Sequence, residues 1–158
     1  MSYFNDLDHK TWKFNEYAGN NDKFSKKDFE AQYKCLVEEV NEIGEGLETG
    51  NLEEVLDGVV DVLVVATGLA HKLEAFGINV GEAVNRITEN NLSKFPEYTK
   101  KEALETIEMY SKKGEPVHSY EKYGRLVTVD LNGKIRKPAS FVSVDLSDLV
   151  NGRQLNDA

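Results

Sequence analysis

The stretch Glu38-Glu39-Val40-Asn41-Glu42, followed by Gly50-Asn51 and then by Glu54-Val55-Leu56-Asp57-Gly58-Val59-Val60-Asp61, decides how this chain folds. Residues three or four apart on a helix share a face, so Glu39 and Glu42 project together, and Asp57 and Asp61 do the same on the next segment. Gly50-Asn51 is the break between the two segments, so two acidic faces meet across one turn. Asp61 lies within Val59-Val60-Asp61-Val62-Leu63-Val64-Val65, where apolar neighbours are expected on every side. Burying that charge costs roughly several kcal/mol unless a cation or a donor compensates it. A divalent metal is the simplest compensation. With no His or thiolate beside the acids, an all-carboxylate set favours a hard ion, Mg²⁺ or else Mn²⁺.

Outward from this stretch, four helix starts carry a capping residue followed three positions later by an acid: Ser25/Asp28, Asn51/Glu54, Asn79/Glu82 and Thr99/Glu102. Phe24 and Phe29 hold the two positions of a hydrophobic staple at the first. The pattern predicts helices at about 6–17, 26–48, 52–76, 80–94 and 100–113. The second carries Phe29, Tyr33, Leu36, Val40, Ile43 and Leu47 as one apolar stripe, which reads as core. Nearly opposite, Glu39 and Glu42 share a column with Ala31, Cys35 and Gly46. Small residues beside acids suggest that something approaches closely there, the alternative being a plain solvated face.

The third helix is apolar nearly all round from Val59 to Ala70 and reads as the buried centre of a bundle, with Gly68 on the column of Asp57 and Asp61. Glu54 already serves as the capping acid for Asn51, so it ranks below Asp57 as a ligand. On the fourth helix Val80, Val84 and Ile87 share a face that Asn91 continues, with Lys94 one turn on. These two are candidates to meet a ligand, unless Asn90-Asn91 simply ends the helix before Phe95-Pro96. The fifth helix is expected to turn Leu104 and Ile107 inward. Beyond it, Leu126-Val127-Thr128-Val129-Asp130-Leu131, Asn132-Gly133 and Lys134-Ile135-Arg136-Lys137 predict a β-hairpin turning at Asn132-Gly133. The expected architecture is all-α: a four- to five-helix bundle over 1–95, with residues 96–158 adding a helix and a small β-hairpin packed on it as one domain.

A chain of 158 residues suits one domain with a real core. Its net charge of −9 argues against binding polymeric nucleic acid through phosphate neutralisation. Nucleotides remain admissible, because a metal can carry positive charge to a phosphate. The acidity is uneven: residues 28–91 hold 14 acids against 3 bases, net −11, whereas 94–137 hold 10 bases against 7 acids, net +3. The single cysteine, Cys35, allows no internal disulfide. Met1 to Asp6 lacks the basic start and apolar core of a signal peptide, and the longest apolar run, Val62 to Ala70, is far below the ~20 residues that span a bilayer. A cytoplasmic chain without membrane contact is expected.

With these residues in order, the chain resembles the all-α nucleotide pyrophosphohydrolases, the MazG-like and phosphoribosyl-ATP pyrophosphohydrolase-like superfamily, over about residues 12–146. Glu38-Glu39-Val40-Asn41-Glu42 looks like their first Glu-x-x-Glu motif, and Asp61 like the final Asp of their Glu-x-x-Asp motif. The departure is Gly58, where the family's Glu would fall; Asp57 or Glu54 is left to replace it. Asn91-Leu92-Ser93-Lys94 is similar to a signature of phage-type members, in which an Asn and a Lys approach the nucleotide, and 133–138 looks like their tail. The resemblance implies Mg²⁺ held by Glu39, Glu42, Asp57 and Asp61, and hydrolysis of a nucleoside triphosphate to the monophosphate and pyrophosphate. Glu38 or Glu39 would take a proton from water, and Lys94 would hold a phosphate oxygen with Asn91 near the nucleotide. Trp12 and Asn15 are candidate base contacts, by stacking and by hydrogen bonding; the alternative for Trp12 is a place in the core.

Two other classes compete. A di-iron bundle would need paired Glu-x-x-His motifs, and of His9, His71 and His118 only the last has a Glu three residues before it. A non-catalytic helical assembly module is the serious rival. A third helix apolar nearly all round also calls for partner helices from a second copy, so a homodimer or homotetramer is expected.

Overall fold

The computed structural model describes residues 3–156. It is mostly helical, with a small two-stranded antiparallel sheet toward the C-terminal end. The chain divides into two compact units: residues up to Val80 together with those from Leu149 onward, and Gly81–Asp148.

The first unit is built on a helical hairpin. Helix α1 (Tyr3–Tyr17) precedes α2 (Lys26–Thr49) and α3 (Leu52–Ala75). Ser25 and Asp28 open α2 with the expected reciprocal cap: the Ser25 hydroxyl accepts from Asp28 N at 3.3 Å and Ser25 N donates to the Asp28 carboxylate at 2.9 Å. Gly50 ends α2 in the left-handed region, at φ 70°, and Asn51 N donates to Gly46 O at 2.8 Å. Asn51 then begins α3, its side-chain oxygen accepting from Glu53 N at 3.2 Å and Glu54 N at 3.3 Å. Two residues thus close one helix and cap the next. Two 24-residue helices, each about 36 Å long, are folded back on one another.

Glycines set how close they come. A Cβ on Gly46 would lie 2.9 Å from Val55 N, and one on Gly58 would lie 2.9 Å from Ile43 Cγ1 and 3.3 Å from Glu39 O. Farther along, the Gln32 amide donates to Val65 O at 3.5 Å and sits 3.1 Å from the Cβ position of Gly68. Of the small residues of α2 where a close approach is expected, Gly46 meets α3 itself, whereas Ala31 and Cys35 are exposed. This splits the expected apolar stripe: Phe29, Leu36 and Ile43 are half-buried, whereas Tyr33, Val40 and Leu47 are 61, 52 and 67% exposed. Helix α3 is likewise only half-buried along Asp61–Val65, because α1 and α2 are the helices packed on it within this unit. Helix α1 meets α3 where Asn15 lies over Gly68, with its amide 3.1 Å from that Cβ position. Residues from Leu149 return to the unit: Lys26 N donates to Asn156 O at 2.9 Å, and the Arg153 guanidinium lies 3.1 Å from where a Cβ on Gly77 would be.

The second unit holds α4 (Val80–Leu92) from Gly81 on, α5 (Lys100–Ser111), β1 (Val117–Lys122) and β2 (Arg125–Asp130). The strands pair with Ser119 opposite Thr128, and turn at Tyr123-Gly124, both with positive φ. The hairpin is thus one strand earlier than expected. Asn132-Gly133 does reverse the chain, but Gly133 alone has positive φ there, the Asp130 carboxylate accepts from Asn132 N and Lys134 N, and only Val129 and Ile135 bridge. Pairing past Asp130 is limited to that bridge, with Asp130 N donating to Lys134 O at 3.0 Å and Arg136 N to Thr128 O at 2.8 Å, while the Asp130 carboxylate satisfies the loop's own N–H groups.

Leu126, Val127 and Thr128 are buried on β2, and α5 presents Ala103, Thr106 and Tyr110 inward. Leu104, expected inward, is 57% exposed. The reason is polar: Thr106 Oγ1 accepts from Ala139 N at 2.9 Å and Tyr110 donates to Lys137 O at 3.1 Å, so this face of α5 satisfies the backbone of residues 137–139. On α4, Glu82 pairs with Arg86 at 2.7 Å, and Arg86 also holds Asp148 at 2.7 Å, which keeps the guanidinium strongly charged.

Two alanine substitutions one turn-half apart test this packing. Gly44 faces open space, so Gly44→Ala should stabilise α2 by about 0.5–1 kcal/mol through helix propensity. Gly46→Ala should instead destabilise by about 1 kcal/mol or more, because its Cβ meets the α3 backbone. Urea midpoints at unchanged m would read both signs.

Candidate metal site on the helical hairpin

The two-residue link and the glycine contacts fix the register of α2 against α3. In that register Glu39 and Glu42 fall level with Asp61 and Asp57, since both helices rise equally per residue. Position 58 cannot carry an acid here. A side chain on Gly58 would run into Ile43 and the Glu39 carbonyl, so the carboxylate of this turn stands one residue earlier, on Asp57. Asp57 is exposed and lines an open surface cleft of about 570 Å³ with Asn51, Glu53, Glu54 and Val60 among its walls. Glu54 accepts from the Asn51 side-chain amide at 3.3 Å and not from the Asn51 backbone N–H, which donates to Gly46 O, so the reciprocal capping bond expected of Glu54 is not made.

Glu39 is where the charges converge. Its carboxyl is pushed above the usual range first by burial, then by the negative charges of Glu42, Asp61, Glu38 and Asp57. Glu39 and Asp61 are half-buried, and Glu38, Glu42 and Asp57 are exposed, so Asp61 is not enclosed on every side. A half-buried carboxyl whose ionisation is opposed by four neighbouring acids suits a hard divalent cation. Among the described residues no three His, Cys, Asp or Glu side chains are drawn together as a finished ligand set. The acids share a face and a field, and a cation would have to gather them.

The other candidates fall in two places. In the first unit, Trp12 is partly exposed and its ring stands edge-on to His71 at 5.3 Å. Asn15 is buried, donates to Thr11 O at 3.1 Å and accepts from Asn20 at 3.4 Å. In the second unit, Lys94 donates to the Asn91 side-chain oxygen at 2.8 Å, so these two act as a pair.

Two polar residues escaped the sequence reading. His71 is buried, with Nε2 2.7 Å from Asp8 and Nδ1 without a partner among the described residues. Lys72 is buried beside it and donates to Asn20 O at 2.9 Å and Lys23 O at 3.0 Å; burial pulls its pKa down while Asp28 works against that. The signal was present. Adjacent His71 and Lys72 at the end of an apolar helix are costly unless something receives them.

The Glu39 shift has a sign that can be measured. A carboxyl whose folded-state pKa is raised penalises the fold once ionised, and the penalty vanishes below its unfolded value. In chelator, Glu39→Gln should therefore raise the thermal midpoint at neutral pH, with the gain shrinking as pH falls through the carboxylate range. A gain that persists undiminished at low pH would point to packing instead. Comparison of the chain with known protein families, with curated proteins and with solved structures finds no match.

Proposed function

We propose that this protein is a Mg²⁺-dependent nucleotide pyrophosphohydrolase that converts a nucleoside triphosphate and water to the monophosphate, pyrophosphate and a proton. The observation that carries the reading is the acidic face of the α2–α3 hairpin, where burial and four neighbouring acids raise the Glu39 pKa. Glu39, Glu42, Asp57 and Asp61 would hold the ion. When bound, it supplies positive charge for the phosphates and lowers the pKa of a water. Glu39, or Glu38 beside it, would accept the proton of the attacking water; a carboxyl with a raised pKa is the better acceptor near neutrality. Lys94, steered by Asn91, is the candidate for a phosphate oxygen, and Trp12 for stacking on the base, with Asn15 supporting α1 behind it. The finer architecture that goes with this reading is a four- to five-helix bundle of the all-α pyrophosphohydrolase type.

Pyrophosphate release from a panel of common and damaged nucleoside triphosphates, with phosphoribosyl-ATP beside them, tests it. Alanine at Glu39, Glu42 or Asp61 should abolish Mg²⁺-dependent release while helical content is retained. Asp57→Asn should cost far more activity than Glu54→Gln, which should mainly loosen a helix start, by about 1 kcal/mol. The reverse ranking would make Glu54 the fourth ligand.

A non-catalytic helical assembly module is the second reading, favoured by the exposed Tyr33, Val40, Leu47 and Leu56 of the hairpin. The two readings share one expectation, that a second copy covers this apolar surface and makes a homodimer or homotetramer. Sedimentation equilibrium at micromolar concentration should show it, and Val40→Asp with Leu47→Asp should shift the protein to monomer. No release from any nucleotide by an assembled protein would favour the module. A fully active monomer would overturn the assembly.

A further inference from the structure

The second unit contains a cleft of about 760 Å³, a size suited to a small-molecule ligand. Its walls include Glu89 and Ser93 at the end of α4, Phe95 in the turn that follows, Arg125 at the start of β2, and Ser140 and Val142. These walls are pinned by hydrogen bonds. Leu126 N donates to Pro96 O at 2.8 Å, Asn90 to Val142 O at 2.6 Å, and Ser140 N to Glu102 at 2.8 Å. The cleft is therefore formed before anything enters it.

Arg125 is the unusual member. Arg86 and Arg136, the other arginines of this unit, are held in ion pairs, whereas the Arg125 guanidinium has no carboxylate partner among the described residues. Its cross-strand partner is Lys122, whose ammonium lies over the Tyr123 ring, so Arg125 is the cation that lines the cleft. A guanidinium without an internal carboxylate favours an anion from outside, and it binds phosphate through a two-pronged geometry. Phe95 and Val142 supply an apolar surface beside that charge, and Glu89 can accept from an N–H or O–H of the ligand.

We propose that this cleft binds a small organic phosphate bearing a planar ring, with the Arg125 guanidinium on the phosphate and the Phe95 ring against the planar group. Such a site stands whether or not the acids of the first unit hydrolyse anything.

The test uses the full ¹⁵N-labelled chain in chelator, titrated with AMP, CMP, GMP, UMP and inorganic phosphate. At least one nucleotide should shift the amides of Ser93, Arg125 and Ser140 saturably, and more tightly than inorganic phosphate does. Arg125→Gln should weaken that binding about tenfold or more, the loss of one charged hydrogen-bonded contact. Phe95→Leu should also weaken it, and Asp61→Asn should leave it unchanged. Arg125 is exposed at the hairpin tip, so its substitution should not disturb the thermal midpoint; if it does, Arg125→Lys, which keeps the charge and loses the two-pronged geometry, should still weaken binding. No saturable shift with any nucleotide, equal affinity in Arg125→Gln, or inorganic phosphate binding as tightly as every nucleotide would overturn the proposal. Loss of binding in Asp61→Asn would do so as well, by assigning the ligand to the acidic face.

Discussion

Close contact between two helix backbones is the constraint on which the first unit depends. Gly46 and Gly58 let α2 and α3 approach until a Cβ would touch the opposing main chain, and everything on the facing strips is fixed by that distance. Side chains flanking the glycines have nowhere to go except along the edge of the interface. Glu39, Asp57 and Asp61 flank them. The crowding of acids is thus a product of packing, and the elevated Glu39 pKa is its electrostatic signature. A helix pair separated by larger residues would have let these carboxylates spread into water.

The second unit is held by a different balance. Its buried residues include Thr106, Thr128 and Tyr110 beside Leu126 and Val127, and the hydroxyls are spent on backbone groups of the extended segment 137–139 and on one another across the sheet, where Ser119 meets Thr128 at 2.8 Å. A small core of this kind is specified by satisfied polar contacts as much as by apolar area. It also leaves long side chains such as Leu104 and Ile135 at the surface.

Helix positions were legible because local signals set them. Ser25, Asn51 and Thr99 each cap the helix that the spacing predicts, and the bounds agree to within a few residues. Which face of a helix turns inward was less legible. Apolar periodicity pointed to Tyr33, Val40 and Leu47 on α2 and to Leu104 on α5, yet the inward positions go to Gly46 and to Ala103 and Thr106, where small size or a hydroxyl matters more than hydropathy. The β-hairpin was misplaced for a similar reason. Asn-Gly is the stronger turn signal in isolation, but the Asp130 carboxylate captures the loop amides, and Tyr123-Gly124 makes the tight turn. Of the candidate site, the pairing of acids across Gly50-Asn51 was visible in spacing. The Asp8–His71 contact and the Arg125 cleft were not, because each joins residues far apart in sequence.

The return of the last residues to the first unit makes that unit discontinuous, with Gly81–Asp148 inserted between its two pieces. During synthesis the three long helices leave the ribosome well before Arg153 and Asn156 exist to reach Gly77 and Lys26. The intervening unit, which is one continuous segment, can fold to completion in that interval. The first unit acquires its closing contacts only after Arg153 and Asn156 have been made, so the unit that begins first is the last to close.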